Sequence, residues 1–206
     1  FIKVSGPSKG TVSINAATGA YSYTPNANVN GSDSFTFKAN DGLLDSNVGT
    51  VNISVGMVND APVAAASGAS GDEDTTIIGN LSATDIDGDT LTFVKVSEPA
   101  HGTVTISGDT FTYSPALNYN GSDSFTMKAN DGAADSNEVT ITIAISPVND
   151  APTLSNSAAS GNEDASSVTG TLVGSDVEGD PLSYIMISPP SHGQITVGSA
   201  GNWTYT

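Results

Sequence analysis

Gly121-Ser122-Asp123-Ser124-Phe125-Thr126-Met127-Lys128 alternates polar and apolar side chains and runs into the turn residues Asn130-Asp131-Gly132. Alternation with period two marks a half-buried β-strand, and Asn, Asp and Gly turn a chain with little strain. The head of this stretch stands 90 residues earlier as Gly31-Ser32-Asp33-Ser34-Phe35-Thr36. Val58-Asn59-Asp60-Ala61-Pro62 likewise returns as Val148-Asn149-Asp150-Ala151-Pro152, and Asp85-Ile86-Asp87-Gly88-Asp89 returns as Asp176-Val177-Glu178-Gly179-Asp180. A period near 90 is too long for one turn of a solenoid, so each repeat is predicted to be a small domain with its own core. Phe1 to Pro7 matches Phe93 to Pro99, and Asn202 to Thr206 matches Thr110 to Ser114. This register puts the back part of one unit at 1–58, a complete unit at 59–148 and the front part of a third at 149–206, a window on a longer array.

Within the complete unit the alternating pattern recurs at Thr90 to Val96, Gly102 to Ile106, Thr110 to Tyr113, Ser124 to Lys128 and Val139 to Ile145. Threonines face outward and Val, Ile, Phe and Tyr inward, the pattern of antiparallel strands with one wet face. Two further short strands fit near Pro62 to Ala66 and Thr76 to Leu81, which makes about seven. Turn signals separate them at Asp87-Gly88, Glu98 to Gly102, Ser107 to Asp109 and Asn120-Gly121, and no segment keeps a helical period. The predicted fold class is therefore all-β: tandem seven-stranded Greek-key sandwiches of immunoglobulin-like type, arranged end to end. The tryptophan and paired cysteines of antibody domains are missing.

Twenty-two acidic residues stand against five lysines and no arginine, a net charge of −17. That balance argues against nucleic acid or an anionic membrane as the main partner and favours cations. With no cysteine, stability is expected to come from cores, bound ions or both. No apolar run reaches the roughly 18 residues of a membrane span.

In a sandwich entered at one end and left at the other, loops at the same end are neighbours. Asn59 and Asp60, the loop carrying Asp85, Asp87 and Asp89, and Asp131 after the sixth strand are expected to converge at the upstream end of the complete unit. Asn149 and Asp150 with Asp176, Glu178 and Asp180 repeat the arrangement at the next linker. Crowded carboxylates need raised pKa values or a cation, and a set of hard oxygens without sulfur or imidazole specifies Ca²⁺.

The ordered set Asn-Asp-Ala-Pro, Glu-Asp, Asp-x-Asp-Gly-Asp-x-Leu-Thr-Phe, His-Gly-Thr-Val, Phe-x-Tyr-x-Pro and Asn-Gly-Ser-Asp-Ser-Phe resembles the cadherin-like and bacterial Ig-like tandem repeats of large bacterial (RTX-type) surface adhesins. The resemblance covers essentially the whole chain. It implies sandwich beads, Ca²⁺ at the linkers and an extracellular, cell-surface role as extender or adhesin. It aligns Asn59-Asp60 with the cadherin linker, Asp85 and Asp87 with the Asp-x-Asp pair, and Asp131 with the aspartate after the sixth strand. A cadherin-like bead also sends a glutamate from near its first strand to the downstream linker, which makes Glu73 a candidate at Asn149-Asp150. Two departures imply fewer or weaker ions: Met57 and Pro147 stand where an acidic ligand belongs, and the Asp-Arg-Glu element has no counterpart near Asn118 to Ser122.

An EF-hand does not fit Asp85 to Val96, because Thr90 replaces the required glycine and Val96 the bidentate glutamate. Asp33 and Asp123 are expected to cap hairpins, and Asp45 and Asp135 to lie in solvated loops. His101 and His192 are read as turn residues, since Lys9 holds the matching place in the first unit. No nucleophile-histidine-acid set shares a pocket, so no catalysis is expected. The function expected is a Ca²⁺-stiffened extender repeat whose partners are calcium and neighbouring repeats. The rivals are a module that binds its own kind, a host surface or a glycan, and a spacer in a secreted enzyme or extracellular filament.

Overall fold

The structure is a computed structural model describing all 206 residues, every regular element of which is a β-strand. Residues 1–58 form β1 (Ile2–Ser5), β2 (Gly10–Ile14), β3 (Tyr21–Pro25), β4 (Gly31–Lys38) and β5 (Gly49–Val55). The complete unit follows with β6 (Val63–Ala65), β7 (Ser67–Asp72), β8 (Ile77–Asn80), β9 (Ser82–Thr84), β10 (Thr92–Lys95), β11 (Gly102–Ser107), β12 (Thr110–Pro115), β13 (Gly121–Asn130) and β14 (Val139–Ser146). The last stretch holds β15 (Thr153–Ser155), β16 (Val168–Thr171), β17 (Val173–Ser175), β18 (Ile195–Val197) and β19 (Asn202–Tyr205).

In the complete unit β10-β13-β14-β7 form one sheet, β11-β12-β8 form the other, and β6 pairs with β9 beside it. The expected first strand, Pro62 to Ala66, is β6, antiparallel to β9; after it an unexpected strand, β7, crosses to the opposite sheet and runs parallel to β14, Ser67 opposite Ile141. The expected second strand, Thr76 to Leu81, is β8, and a further short strand, β9, follows Leu81, which is buried and donates its N–H to the Asp109 carbonyl. Nine hydrogen-bonded segments thus stand where about seven continuous strands were expected. The β7 pairing also departs from an all-antiparallel reading. Ser67-Gly68-Ala69-Ser70-Gly71 lacks the branched and aromatic residues that signal a strand. It is held instead because Gly68 lies against Thr142, where a Cβ would come within 2.7 Å of its hydroxyl.

The two sheets close on Phe111, Tyr113, Phe125, Met127, Ile141 and Ile143, each essentially without solvent contact. The alternation read from the sequence places them: Phe125 faces Ile141 across β13 and β14, and Phe111 meets Phe125 edge to face at 5.1 Å. Burying side chains of this size stabilises a fold by roughly 1.5–3 kcal/mol each.

The flanking stretches keep the same registers. Phe35 opposes Val51 on β4 and β5 as Phe125 opposes Ile141. Gly170 opposes Trp203 on β16 and β19 as Gly79 opposes Phe111.

Asp123 is not a hairpin cap. It is buried, and its carboxylate accepts the Tyr113 hydroxyl at 2.8 Å and the N–H groups of Ala100, His101 and Ser124 at 2.8–2.9 Å. Asp33 does the same with Tyr23, Ser8, Lys9 and Ser34. This clasp fastens the loop before β11 to the start of β13. Burial opposes the charge of Asp123, but the phenol and three N–H donors outweigh it and hold the carboxyl below its ordinary range. Gly102 makes the clasp possible, since any Cβ there would sit 2.6 Å from the Tyr113 ring.

Candidate metal centre at the linkers

Chain direction puts three elements at the upstream end of the complete unit: the linker before β6, the loop between β9 and β10, and the hairpin after β13. The hairpin is a closed structure. Gly132 takes a left-handed φ of 98°, the N–H groups of Ala133 and Ala134 donate to Asp131 Oδ1, and Asn130 spans to Asp135. Asp135 also pairs with Lys128, and Asp45 with Lys38, so these two exposed aspartates brace their hairpins from the solvated side.

The linker meets both neighbours. Asn59 Nδ2 donates to Asp131 Oδ2 at 2.9 Å, and the Asp60 N–H donates to Asp87 Oδ2 at 2.8 Å. In the β9–β10 loop, Asp85 Oδ1 collects the N–H groups of Asp87, Gly88 and Asp89. Its Oδ2 is buried without a partner. Carboxylate oxygens of Asp85, Asp87 and Asp89 all lie within 4.8 Å of one another. Asn59, Asp60, Asp85, Asp87, Asp89 and Asp131 are therefore brought together. The Asp131 carboxyl is held below its ordinary range by the Ala134 N–H first, then by the Asn59 amide and the Ala133 N–H.

The second linker repeats half of this. The Asp150 N–H donates to Glu178 Oε2 at 3.1 Å, Asp176 Oδ1 collects the N–H groups of Glu178 and Asp180, and Asp150 Oδ2 is buried without a partner. Asn149, Asp150, Asp176 and Asp180 share the wall of a cleft of about 310 Å³. Asn149 donates only to the Asp150 carbonyl. From the upstream side comes Glu73, 1% exposed, with Oε1 accepting the Val148 N–H at 2.8 Å and Oε2 buried and unpartnered.

No cationic side chain answers these acids. Lys38, Lys95 and Lys128 pair with Asp45, Glu98 and Asp135, and Lys9 donates to the Asn30 carbonyl. Two like charges about 4.8 Å apart repel by roughly 1 kcal/mol in water and by about 3 kcal/mol at the effective dielectric near a protein surface. The donor set fits a hard cation: ligands on one Ca²⁺ lie at about 2.3–2.6 Å from it, so pairs of them fall within about 5 Å.

Residues of the first unit also reach this linker, which sequence reasoning missed. Asn28 and Asn30 line a cleft of about 300 Å³ together with Asp60 and Asp87. The available signal was the recurrence of Asn28-x-Asn30-Gly31 as Asn118-x-Asn120-Gly121, with Asn28 and Asn118 both at left-handed φ near 56–57°. His101 stacks flat on Tyr119 at 4.0 Å and donates its N–H to Asp123, the setting of a turn residue.

Among known proteins, the integrin beta-like protein A of Dictyostelium discoideum is 37% identical over 147 residues, 58% of this chain and 7% of that protein. The chain thus spans a small part of its curated relative. The protocadherin gammaB7 EC3-6 structure superposes with a TM-score of 0.54 at 15% identity, covering 100% of this chain and 58% of that one. The protocadherin gammaB4 extracellular domain gives 0.52 at 16% identity, over 99% and 40%. These likenesses establish the fold, tandem sandwiches of cadherin-like form. The bacterial Ig domain family matches residues 1–54, 59–144 and 149–206, nearly the whole length, and the chain therefore belongs to that family.

Proposed function

We propose that this chain is a Ca²⁺-rigidified extender segment of a bacterial cell-surface or secreted adhesin, with the ions held at the linkers. The carrying observation is that the three buried side-chain oxygens without a hydrogen-bond partner are Glu73 Oε2, Asp85 Oδ2 and Asp150 Oδ2, all carboxylate and all at linkers. A buried carboxylate oxygen with no donor is costly unless something positive meets it. A chain of net charge −17 with every nearby lysine otherwise engaged leaves that role to a bound cation.

At the first linker the ligands are Asp60, Asp85, Asp87 and Asp131, with Asn59 and Asp89 at the rim. At the second they are Glu73, Asp150, Asp176, Glu178 and Asp180, with Asn149. Glu73 belongs to the complete unit and Glu178 to the next, so one ion or ion cluster takes ligands from both sides of the linker. Binding neutralises their repulsion and removes interdomain bending, which converts a hinged chain into a rod. Affinities of about 10⁻⁴–10⁻³ M serve an extracellular module. The integrin-like relative supports an extracellular setting, and a non-catalytic role holding a distal binding domain away from the cell follows from the same reading.

Small-angle scattering in Ca²⁺ and then in chelator tests this. The maximum dimension is expected to fall, and its distribution to broaden, on chelation. An unchanged profile together with no heat of Ca²⁺ binding would sink the proposal.

A further inference from the structure

Asp131 is satisfied without any metal: Oδ1 by two backbone N–H groups and Oδ2 by the Asn59 amide at 2.9 Å. An ionised carboxylate only accepts, so the Asn59 group facing it must be the NH₂ and not the carbonyl oxygen. A hard cation accepts no such donor. To ligate one, Asn59 must turn its amide over and present Oδ1. The side chain therefore has two incompatible orientations, one for each state of the linker.

We propose that Asn59 is a latch that holds the first linker on the complete unit when no cation is present, its NH₂ group standing in for positive charge at Asp131. The neighbouring bond from the Asp60 N–H to Asp87 Oδ2 makes the attachment two-pointed, one bond to each loop of the upstream end. Bending in the metal-free chain is thereby kept out of Asn59 and Asp60. The latch itself needs no calcium; its consequence, that Ca²⁺ must displace the NH₂ group from Asp131 and binds against that cost, rests on the reading above. At the second linker Asn149 donates to the Asp150 carbonyl.

The test is NMR relaxation of the full chain in chelator, reading the Asn59 side-chain amide and the backbone of residues 57–60. The Asn59 NH₂ group is expected to be as rigid as the core backbone, and clearly more so than that of exposed Asn26. In Asn59→Ala the linker backbone is expected to gain fast motion while the β10–β14 resonances stay in place. Adding Ca²⁺ to the unsubstituted chain is expected to shift the Asn59 side-chain signals as the amide turns. An Asn59 NH₂ group as mobile as that of Asn26, or a linker equally ordered in Asn59→Ala, would overturn the latch whether or not calcium binds. Absence of any Ca²⁺ effect with an ordered Asn59 would instead leave the latch standing and sink the calcium reading.

Discussion

Two kinds of carboxylate with buried oxygens sit in this molecule, and they behave oppositely. In the body of the complete unit Asp123 is met by a phenol and three N–H groups, so the protein supplies everything its charge needs. At the linkers Glu73, Asp85 and Asp150 each keep one oxygen that nothing in the chain satisfies. The first kind is part of folding. The second is what the proposed cation would satisfy, and the contrast separates carboxylates that the fold completes from those it leaves open.

The sharpest way to break this contrast is Asp123→Ala. It strands the Tyr113 hydroxyl and two loop N–H groups in the interior, a loss expected at about 3 kcal/mol or more, and equal in Ca²⁺ and in chelator. Urea unfolding in both buffers measures it, and a calcium-dependent loss would erase the distinction. A pH series in chelator sharpens the same point. Because the native Asp123 carboxyl titrates below the ordinary value near 3.8, its contribution is complete above that value. It drains away as pH falls toward the depressed native value, and Asp123→Asn should lose this acid-side slope.

Next in size is Glu73→Gln, which keeps an acceptor for the Val148 N–H but removes the charge. Calorimetric Ca²⁺ affinity is expected to fall about tenfold or more for one class of sites, about 1.4 kcal/mol, with the remaining sites unmoved. In chelator the variant should be no less stable than the parent, because an uncompensated buried charge has gone. A large loss of stability in chelator would place Glu73 with Asp123 instead.

The smallest expected effect concerns the two linkers themselves. Asp87 reaches the Asp60 N–H at 2.8 Å, whereas Glu178, one methylene longer, reaches the Asp150 N–H at 3.1 Å. Glu178→Asp is expected to change Ca²⁺ affinity by no more than a few-fold, readable by terbium luminescence competition. A hundredfold change would mean that arm length and not charge sets the site.

Which acidic loops meet at the first linker was legible, because the end of the sandwich at which each loop lies follows from strand count alone. That Asn59 and Asp60 come near Asp87 and Asp131 needed only parity along the chain; the hydrogen bonds that join them are visible only in the structure. Asp123 was misread as a cap because its sequence context, Gly-Ser-Asp-Ser, is also that of a turn. Its burial depends on Tyr113, ten residues away on β12 of the opposite sheet. Residues 67–72 went unseen as a strand because their pairing with β14 rests on small side chains fitting a neighbour and not on any preference of their own.

What the sequence determined by itself was periodic: the repeat, the alternation that builds the two sheets, the acidic loops and the excess of negative charge. These follow from short-range spacing, which a linear string records directly. Tertiary structure alone decided which carboxylates find donors and which do not. That outcome is set by distances between residues tens of positions apart, as when Glu73 meets Val148, and those distances exist only once the sheets have closed on their core.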